Sequence, residues 1–155
     1  MQQFFAWLES TELARTVGES LQITAWLSAI HVLGFTLVMS AGMIWSLYAS
    51  GVVLRGTPRE SVARPAVRLL ALGLSLSLVT GLALFAPRAS STAPNPVFQL
   101  KISLLLSAAI YQFSLTFWAL RRPHAPVGSL RAGGILGAML WLSLAITACW
   151  FILFE

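Results

Sequence analysis

The chain has little charge and almost no cysteine. Only 10% of its 155 residues are Asp, Glu, Lys or Arg, whereas an ordinary soluble domain has about 25%. The single cysteine, Cys149, has no second cysteine with which to form a disulfide within the chain, so it says little about the redox compartment. Because 57% of the residues are hydrophobic, this composition excludes a typical soluble domain and indicates an integral membrane protein.

Acidic residues are fewer than basic ones, and none lies inside a long apolar stretch. The chain has five, all terminal or between apolar stretches: Glu9, Glu12, Glu19, Glu60 and Glu155. General acid or base chemistry at membrane depth would therefore depend on His31, Tyr111 or Lys101. An independent enzyme is the least supported function, and any catalytic role would be that of an oxidoreductase subunit.

Basic residues outnumber acidic ones and give the chain a formal net charge of +5. In a soluble protein this excess would suggest a nucleic-acid partner. Nearly all the arginines, however, flank long apolar stretches, where lipid headgroups and membrane topology account for them. We therefore expect a lipid bilayer as the partner and no nucleic acid.

Four apolar stretches are long enough, or nearly so, to cross a bilayer, which takes about 20 residues. They cover residues 21–54, 69–87, 102–120 and 132–154, called spans 1 to 4 here. We expect residues 1–155 to form a single all-α domain, an integral membrane four-helix bundle. Small residues that allow close helix packing recur along the spans: Gly34, Ala41, Gly42, Gly73, Ser77, Gly81, Gly133 and Gly137.

Most basic residues lie on one side of the spans. Between spans 1 and 2 and between spans 3 and 4 the chain carries Arg55, Arg59, Arg64, Arg68, Arg121, Arg122 and Arg131. The opposite side has Arg15, Arg88 and Lys101. The positive-inside rule places the arginine-rich side in the cytoplasm, so we expect both termini on the outer side.

The first 20 residues lack the basic start and the apolar core of a cleaved signal peptide, so we expect them to stay in the mature chain. Their apolar residues are Phe4, Phe5, Trp7, Leu8 and Leu13. This roughly helical spacing is typical of a short amphipathic helix that lies in the membrane interface. An ordinary leader into span 1 is the alternative.

A lone histidine, His31, lies inside the uncharged run of span 1. An ionisable group at membrane depth is costly, so its position suggests a function. His31 follows Thr24 and Ser28 and precedes Gly34 at spacings of three and four residues, which puts it on a small, polar face that should point into the bundle. The alternative is an interhelical hydrogen bond in the core.

Other spans carry polar or small residues at a similar expected depth. At a rise of about 1.5 Å per residue, His31, Thr80, Gly81, Lys101 and Thr147 all lie roughly 18 to 25 Å from the arginine-rich side. Neutral imidazole is a good ligand for haem iron, and helix bundles build haem sites from facing helices. The sequence therefore predicts a haem b site in this layer.

In this hypothesis His31 is the axial metal ligand, and Gly34 and Gly81 leave room for the flat macrocycle. Lys101 and Arg88 would pair with the propionates, although Lys101 can also extend to the membrane surface from a helix end. The predicted cofactor-binding set is His31, Gly34, Thr80, Gly81, Arg88 and Lys101.

Two usual haem signals are missing. The chain has neither a CxxCH motif nor a second histidine inside a span. The methionines Met39, Met43 and Met139 lie about 12 Å or more deeper, which makes them poor axial partners. His124 falls in the predicted loop between spans 3 and 4 and is expected to be solvated. The iron would be five-coordinate, or would bind a small external ligand, Lys101, or a histidine of another chain.

Four segments carry a resemblance to a known family: FFAWLESTELA, HVLGFTLVMSAG in span 1, VTGLALFAP in span 2 and NPVFQLKISLLL at the start of span 3. With them the chain resembles a widespread, functionally uncharacterised family of small bacterial four-helix membrane proteins. It departs from that family at SLYASGVVLRG, where an acidic and a basic residue are expected near the end of span 1. The resemblance implies the bacterial inner membrane, with both termini periplasmic.

The chain is also distantly similar to the bacterial four-helix protoporphyrinogen oxidases and the copper-resistance D membrane proteins. These families share H-x-x-G in the first helix and a lysine that opens a later helix. In the oxidases the histidine and the lysine are associated with haem b, and the resemblance carries these roles to His31 and Lys101. The oxidase's fuller signature is absent, so the resemblance implies the site and not the reaction.

Three functions follow from these features. The first is a b-type haem subunit that passes electrons between a quinone and a periplasmic redox partner. The second is a copper-handling membrane protein that uses His31, Met39 and Met43, since imidazole and thioether ligands suit Cu(I). The third is a cofactor-free scaffold that packs as a homo-oligomer or as a subunit of a larger membrane complex.

Overall fold

The computed structural model describes residues 2–122 and 126–154, with side chains up to residue 150. Its α-helices are α1 (Gln2–Glu9), α2 (Glu12–Glu19), α3 (Leu21–Ala49), α4 (Arg59–Phe85), α5 (Ala89–Thr92), α6 (Pro96–Arg121) and α7 (Val127–Phe154). A short 3-10 turn, Ala86–Arg88, joins α4 to α5. Over these residues no β-strand occurs, which confirms the all-α prediction.

Four of these helices, α3, α4, α6 and α7, are long and apolar enough to cross a membrane. They correspond to spans 1 to 4, but their ends differ. Helix α3 stops at Ala49 because Gly51, Leu54 and Gly56 all adopt positive φ values, of 77°, 54° and 85°, which end a right-handed helix.

The other long helices begin earlier than their spans. Helix α4 starts at Arg59, so Arg59, Arg64 and Arg68 lie on its first turns and not in a loop. Helix α6 starts at Pro96 because the side chain of Asn95 caps it, accepting hydrogen bonds from the backbone N–H groups of Val97 (2.8 Å) and Phe98 (3.1 Å).

Consecutive long helices run antiparallel. Helix α3 packs most extensively against α4 and also contacts α7, while α6 contacts mainly α7 and touches α4 little. Side chains of all four helices meet in one apolar cluster: Val38, Ala41, Leu70, Leu105, Ala108, Trp141 and Leu144. Seven arginines lie at the end where α3 and α6 finish and α4 and α7 begin: Arg55, Arg59, Arg64, Arg68, Arg121, Arg122 and Arg131.

The amino end forms two short helices where the sequence predicted one. The helix is interrupted at Ser10 and Thr11. The Thr11 hydroxyl then caps α2 by accepting a hydrogen bond from the Ala14 backbone N–H (3.3 Å). Helix α2 is amphipathic and buries Ala14 and Val17. Both helices pack on residues 86–92, so they cover the end of the long helices opposite the arginines.

Candidate functional site

His31 lies on the face of α3 that packs against other helices. Its position continues the buried stripe Gly34, Val38, Ala41, Gly42 and Trp45 toward the amino end of the helix. The imidazole itself is half-buried. The spacing of three and four residues that predicted an inward-facing His31 is therefore seen in the packing of α3.

The His31 ring is held by α4. Its Nδ1 lies 3.0 Å from the Ser77 carbonyl oxygen and 3.1 Å from the Thr80 hydroxyl oxygen. A carbonyl oxygen only accepts hydrogen bonds, so Nδ1 must carry the proton and donate it. In a neutral imidazole this leaves the lone pair on Nε2, on the far side of the ring from the Nδ1 contacts.

The polar groups around Nδ1 support this assignment. The Thr80 hydroxyl donates to the Leu76 carbonyl oxygen (2.6 Å), so its lone pairs remain available to accept from Nδ1. The Ser77 hydroxyl donates back to the His31 carbonyl oxygen at 3.4 Å. Both Ser77 and Thr80 are buried on α4. The contacts fix both the tautomer and the orientation of the ring, as the outer hydrogen bonds of a histidine ligand do.

The two glycines of the predicted site have other roles than the one expected from sequence. A Cβ on Gly81 would lie 2.9 Å from His31 Cε1, so this glycine makes room for the imidazole itself. A Cβ on Gly34 would lie 2.9 Å from the Ser77 backbone nitrogen and 3.1 Å from the Gly73 carbonyl oxygen. Gly34 therefore serves the close crossing of α3 and α4, and the space beside it is filled by α4 and leaves no room for a macrocycle.

Lys101 is half-buried in the second turn of α6, and its positive charge is close enough to act electrostatically on the His31 ring. Arg88 is exposed in the 3-10 turn, and no hydrogen bond or ion pair joins it to His31 within the described residues. The Thr147 hydroxyl donates to the Ser143 carbonyl oxygen in its own helix (2.9 Å). The structure thus brings together His31, Thr80 and Gly81, with Lys101 nearby.

The donor set limits which metals the site can take. Across residues 2–122 and 126–154, no three His, Cys, Asp or Glu side chains group together to hold a metal ion. Met39 and Met43 are partly buried against the apolar cluster, and Met139 is exposed. A haem needs only one or two protein ligands, whereas a copper or zinc ion bound by protein alone needs more. A single imidazole therefore suits a haem better than it suits a copper or zinc ion. His124 lies outside the described residues.

Sequence reasoning missed one buried polar group, Gln112 on α6. Its Oε1 accepts hydrogen bonds from Trp141 Nε1 (3.0 Å) and from the Ser46 hydroxyl (3.3 Å). All three side chains are buried, and the bonds join α6 to α7 and α3. The sequence signal for this contact is an amide inside an otherwise apolar helix, and an amide is not found by looking for ionisable residues.

The chain matches no protein-family model, no curated protein and no solved structure.

Proposed function

We propose that this chain is a multi-pass membrane four-helix bundle that binds a b-type haem through Nε2 of His31. The observation that carries the proposal is the pair of contacts made by Nδ1 to the Ser77 carbonyl and the Thr80 hydroxyl. In these contacts Nδ1 donates its proton to α4, so Nε2 keeps an oriented lone pair, and a metal binds to such an unprotonated ring nitrogen.

Each residue of the site would have its own role in binding the haem. His31 would supply the axial nitrogen, Thr80 would keep the ring oriented, and the Lys101 ammonium would pair with a propionate. Because α4 fills the space beside Gly34 and the imidazole fills the space beside Gly81, the group would bind on the Nε2 side of the ring and not between α3 and α4. A bound haem b would supply one-electron transfer, with its potential set by these neighbours.

The physiological role that fits this site is electron transfer between a quinone and a periplasmic redox partner. Seven arginines at one end of the long helices favour placing that end in the cytoplasm of a bacterial inner membrane. Both termini and the His31 end of α3 would then face the periplasm. The resemblance to small bacterial four-helix membrane proteins is part of the same proposal.

Absorption spectra of the purified protein test the haem site. We expect protein expressed with ample haem to show a Soret band and reduced-state bands after dithionite, and His31→Ala to lose them. The chain has two histidines, so His124→Ala is the matched control and should keep the spectrum. Imidazole added to His31→Gly should restore it if the histidine acts as a ligand. Colourless wild-type protein that also fails to bind added haemin would overturn the proposal.

A cofactor-free scaffold is the second candidate, and one observation favours it. His31 bridges α3 and α4 by hydrogen bonds, and the space beside Gly34 and Gly81 is occupied. A purely structural histidine would be packed in the same way. In that case His31→Ala would lower the unfolding midpoint in detergent, added haemin would change neither the spectrum nor the stability, and a homo-oligomer or a larger membrane complex would be recovered on gentle solubilisation.

A further inference from the structure

Helices α4 and α6 contact each other much less than α3 contacts α4 or α6 contacts α7, and the seam between them is open at the arginine-rich end. An apolar cleft of about 380 Å³ opens there, lined by Val67, Phe113, Ser114, Thr116, Phe117 and Leu120. A second, more polar cleft of about 290 Å³ is lined by Tyr48, Arg59, Glu60, Ala119 and Leu120. Because Leu120 borders both, the two clefts lie side by side, and the pair suits a molecule with an apolar tail and a polar head.

Each cleft has an arginine beside it. The Arg121 guanidinium lies 3.9 Å from the centre of the Phe117 ring, at the wall of the apolar cleft. Arg59 is fixed beside the polar cleft, because its Nη1 donates to the carbonyl oxygens of Ala119 (2.8 Å) and Arg122 (2.9 Å). These bonds use one of its nitrogens, and the rest of the guanidinium fork keeps donors for an anion.

Among the described residues that line these clefts, the one acidic side chain is already paired. Glu60 accepts a hydrogen bond from Arg64 at 3.2 Å, one turn along α4. Its charge is therefore opposed by Arg64, and Arg59 and Arg121 leave the seam positively charged. A headgroup that gains from this charge must be an anion, whereas a zwitterionic or neutral one gains little.

We propose that the α4–α6 seam binds an anionic phospholipid, with an acyl chain in the apolar cleft and the phosphate near Arg59 and Arg121. Basic pockets between membrane helices hold such headgroups, and each arginine near the headgroup strengthens binding by about five-fold. The site lies at the end of the molecule opposite His31, so it stands or falls independently of the haem proposal.

Native mass spectrometry of delipidated protein, titrated with phosphatidylglycerol or phosphatidylcholine, tests this site. We expect phosphatidylglycerol to bind about 25-fold more tightly, as two arginines imply. Arg121→Gln should weaken its binding about five-fold. Arg131→Gln is the matched control, because Arg131 is exposed at the same end of the molecule but lies beside Gly51, away from the seam.

A second variant separates a built cleft from a charged surface. Ser114 is exposed and lines the apolar cleft, so the indole of Ser114→Trp should fill the cleft without disturbing the buried core. This variant should lose the preferential binding of phosphatidylglycerol. Equal binding of the two lipids, equal losses in Arg121→Gln and Arg131→Gln, or unchanged lipid binding in Ser114→Trp would each overturn the proposal. So would a seam that binds a neutral quinone and excludes phosphatidylglycerol.

Discussion

The Gln112 amide offers the sharpest test of how the long helices are joined. Its Oε1 receives two hydrogen bonds, from Trp141 on α7 and from Ser46 on α3, and all three side chains are at most 2% exposed. Gln112→Leu keeps the side-chain volume similar and removes the acceptor. The Trp141 N–H then stays buried without a partner, whereas the Ser46 hydroxyl can turn to a carbonyl of its own helix.

The expected cost follows from the Trp141 bond. An unsatisfied buried donor costs about 1–3 kcal/mol, but hydrogen bonds between membrane helices average about 0.6 and reach about 1.7 kcal/mol. We therefore expect Gln112→Leu to lower the free energy of unfolding by about 1–2 kcal/mol. Trp141→Phe costs more, because it also leaves a cavity beside Gly42, over which the indole packs.

A double-mutant cycle isolates the hydrogen bond from that cavity. The cavity term appears in both backgrounds and cancels, so the double variant should cost less than the sum of the single variants by about 0.6–1.7 kcal/mol. Ser143→Ala is the matched control, because Ser143 is exposed on α7 and donates to the Met139 carbonyl oxygen. Combined with Gln112→Leu, it should add within about 0.5 kcal/mol.

The measurement is the helical circular-dichroism signal during titration with SDS in mixed micelles, which does not depend on the tryptophan that is replaced. If the costs of Gln112→Leu and Trp141→Phe add within about 0.3 kcal/mol, the hydrogen bond contributes nothing, and the reasoning is refuted. A stabilising Gln112→Leu would also refute it, since it would mean that an apolar side chain suits this position better than the amide.

Two further variants test the α3–α4 crossing and the ring orientation. A Cβ on Gly73 would lie 2.8 Å from the Gly34 carbonyl oxygen and from the Val38 backbone nitrogen, so Gly73→Leu should cost about 1–3 kcal/mol in the same SDS titration. A Cβ on Gly128 would meet no atom of the described residues within 4 Å, so Gly128→Leu should cost little, and equal costs would contradict the crossing. Thr80→Val removes one of the two acceptors of Nδ1 and should weaken haem affinity about 10-fold in a haemin titration, and an unchanged affinity would mean that Thr80 does not position the ring.

The sequence predicted the long helices well and their ends poorly. Hydropathy located α3, α4, α6 and α7, because the length of an apolar run is a direct property of the sequence. It placed the start of span 2 too late, since arginines count against an apolar run even where Val62 and Ala63 between them are buried in α4. The capped start of α6 at Asn95 was readable in principle from the Asn-Pro pair.

Part of the geometry around His31 could be predicted from the sequence. The helical spacing in span 1 puts His31 and Gly34 on one face, and both contact α4. Spacing alone does not say what a small residue faces. Gly81 faces the imidazole and Gly34 faces a backbone, and only the crossing angle and rotation of α4 decide this. The same limit hid the Gln112 contacts, which depend on how α7 is placed against α6.

The four long helices are not joined equally, and this separates the stability of the molecule from the geometry of its histidine. The α3–α4 pair is held by the Gly34–Gly73 crossing and by the His31 contacts, whereas α6 is attached chiefly through α7, by Gln112 and by the Tyr111 hydroxyl that donates to the Gly133 carbonyl oxygen (2.9 Å). Loss of the Gln112 acceptor should therefore loosen α6 while Nδ1 stays bonded to α4. Gly73→Leu acts on the α3–α4 pair instead, and should disturb both the His31 contacts and the stability of the protein.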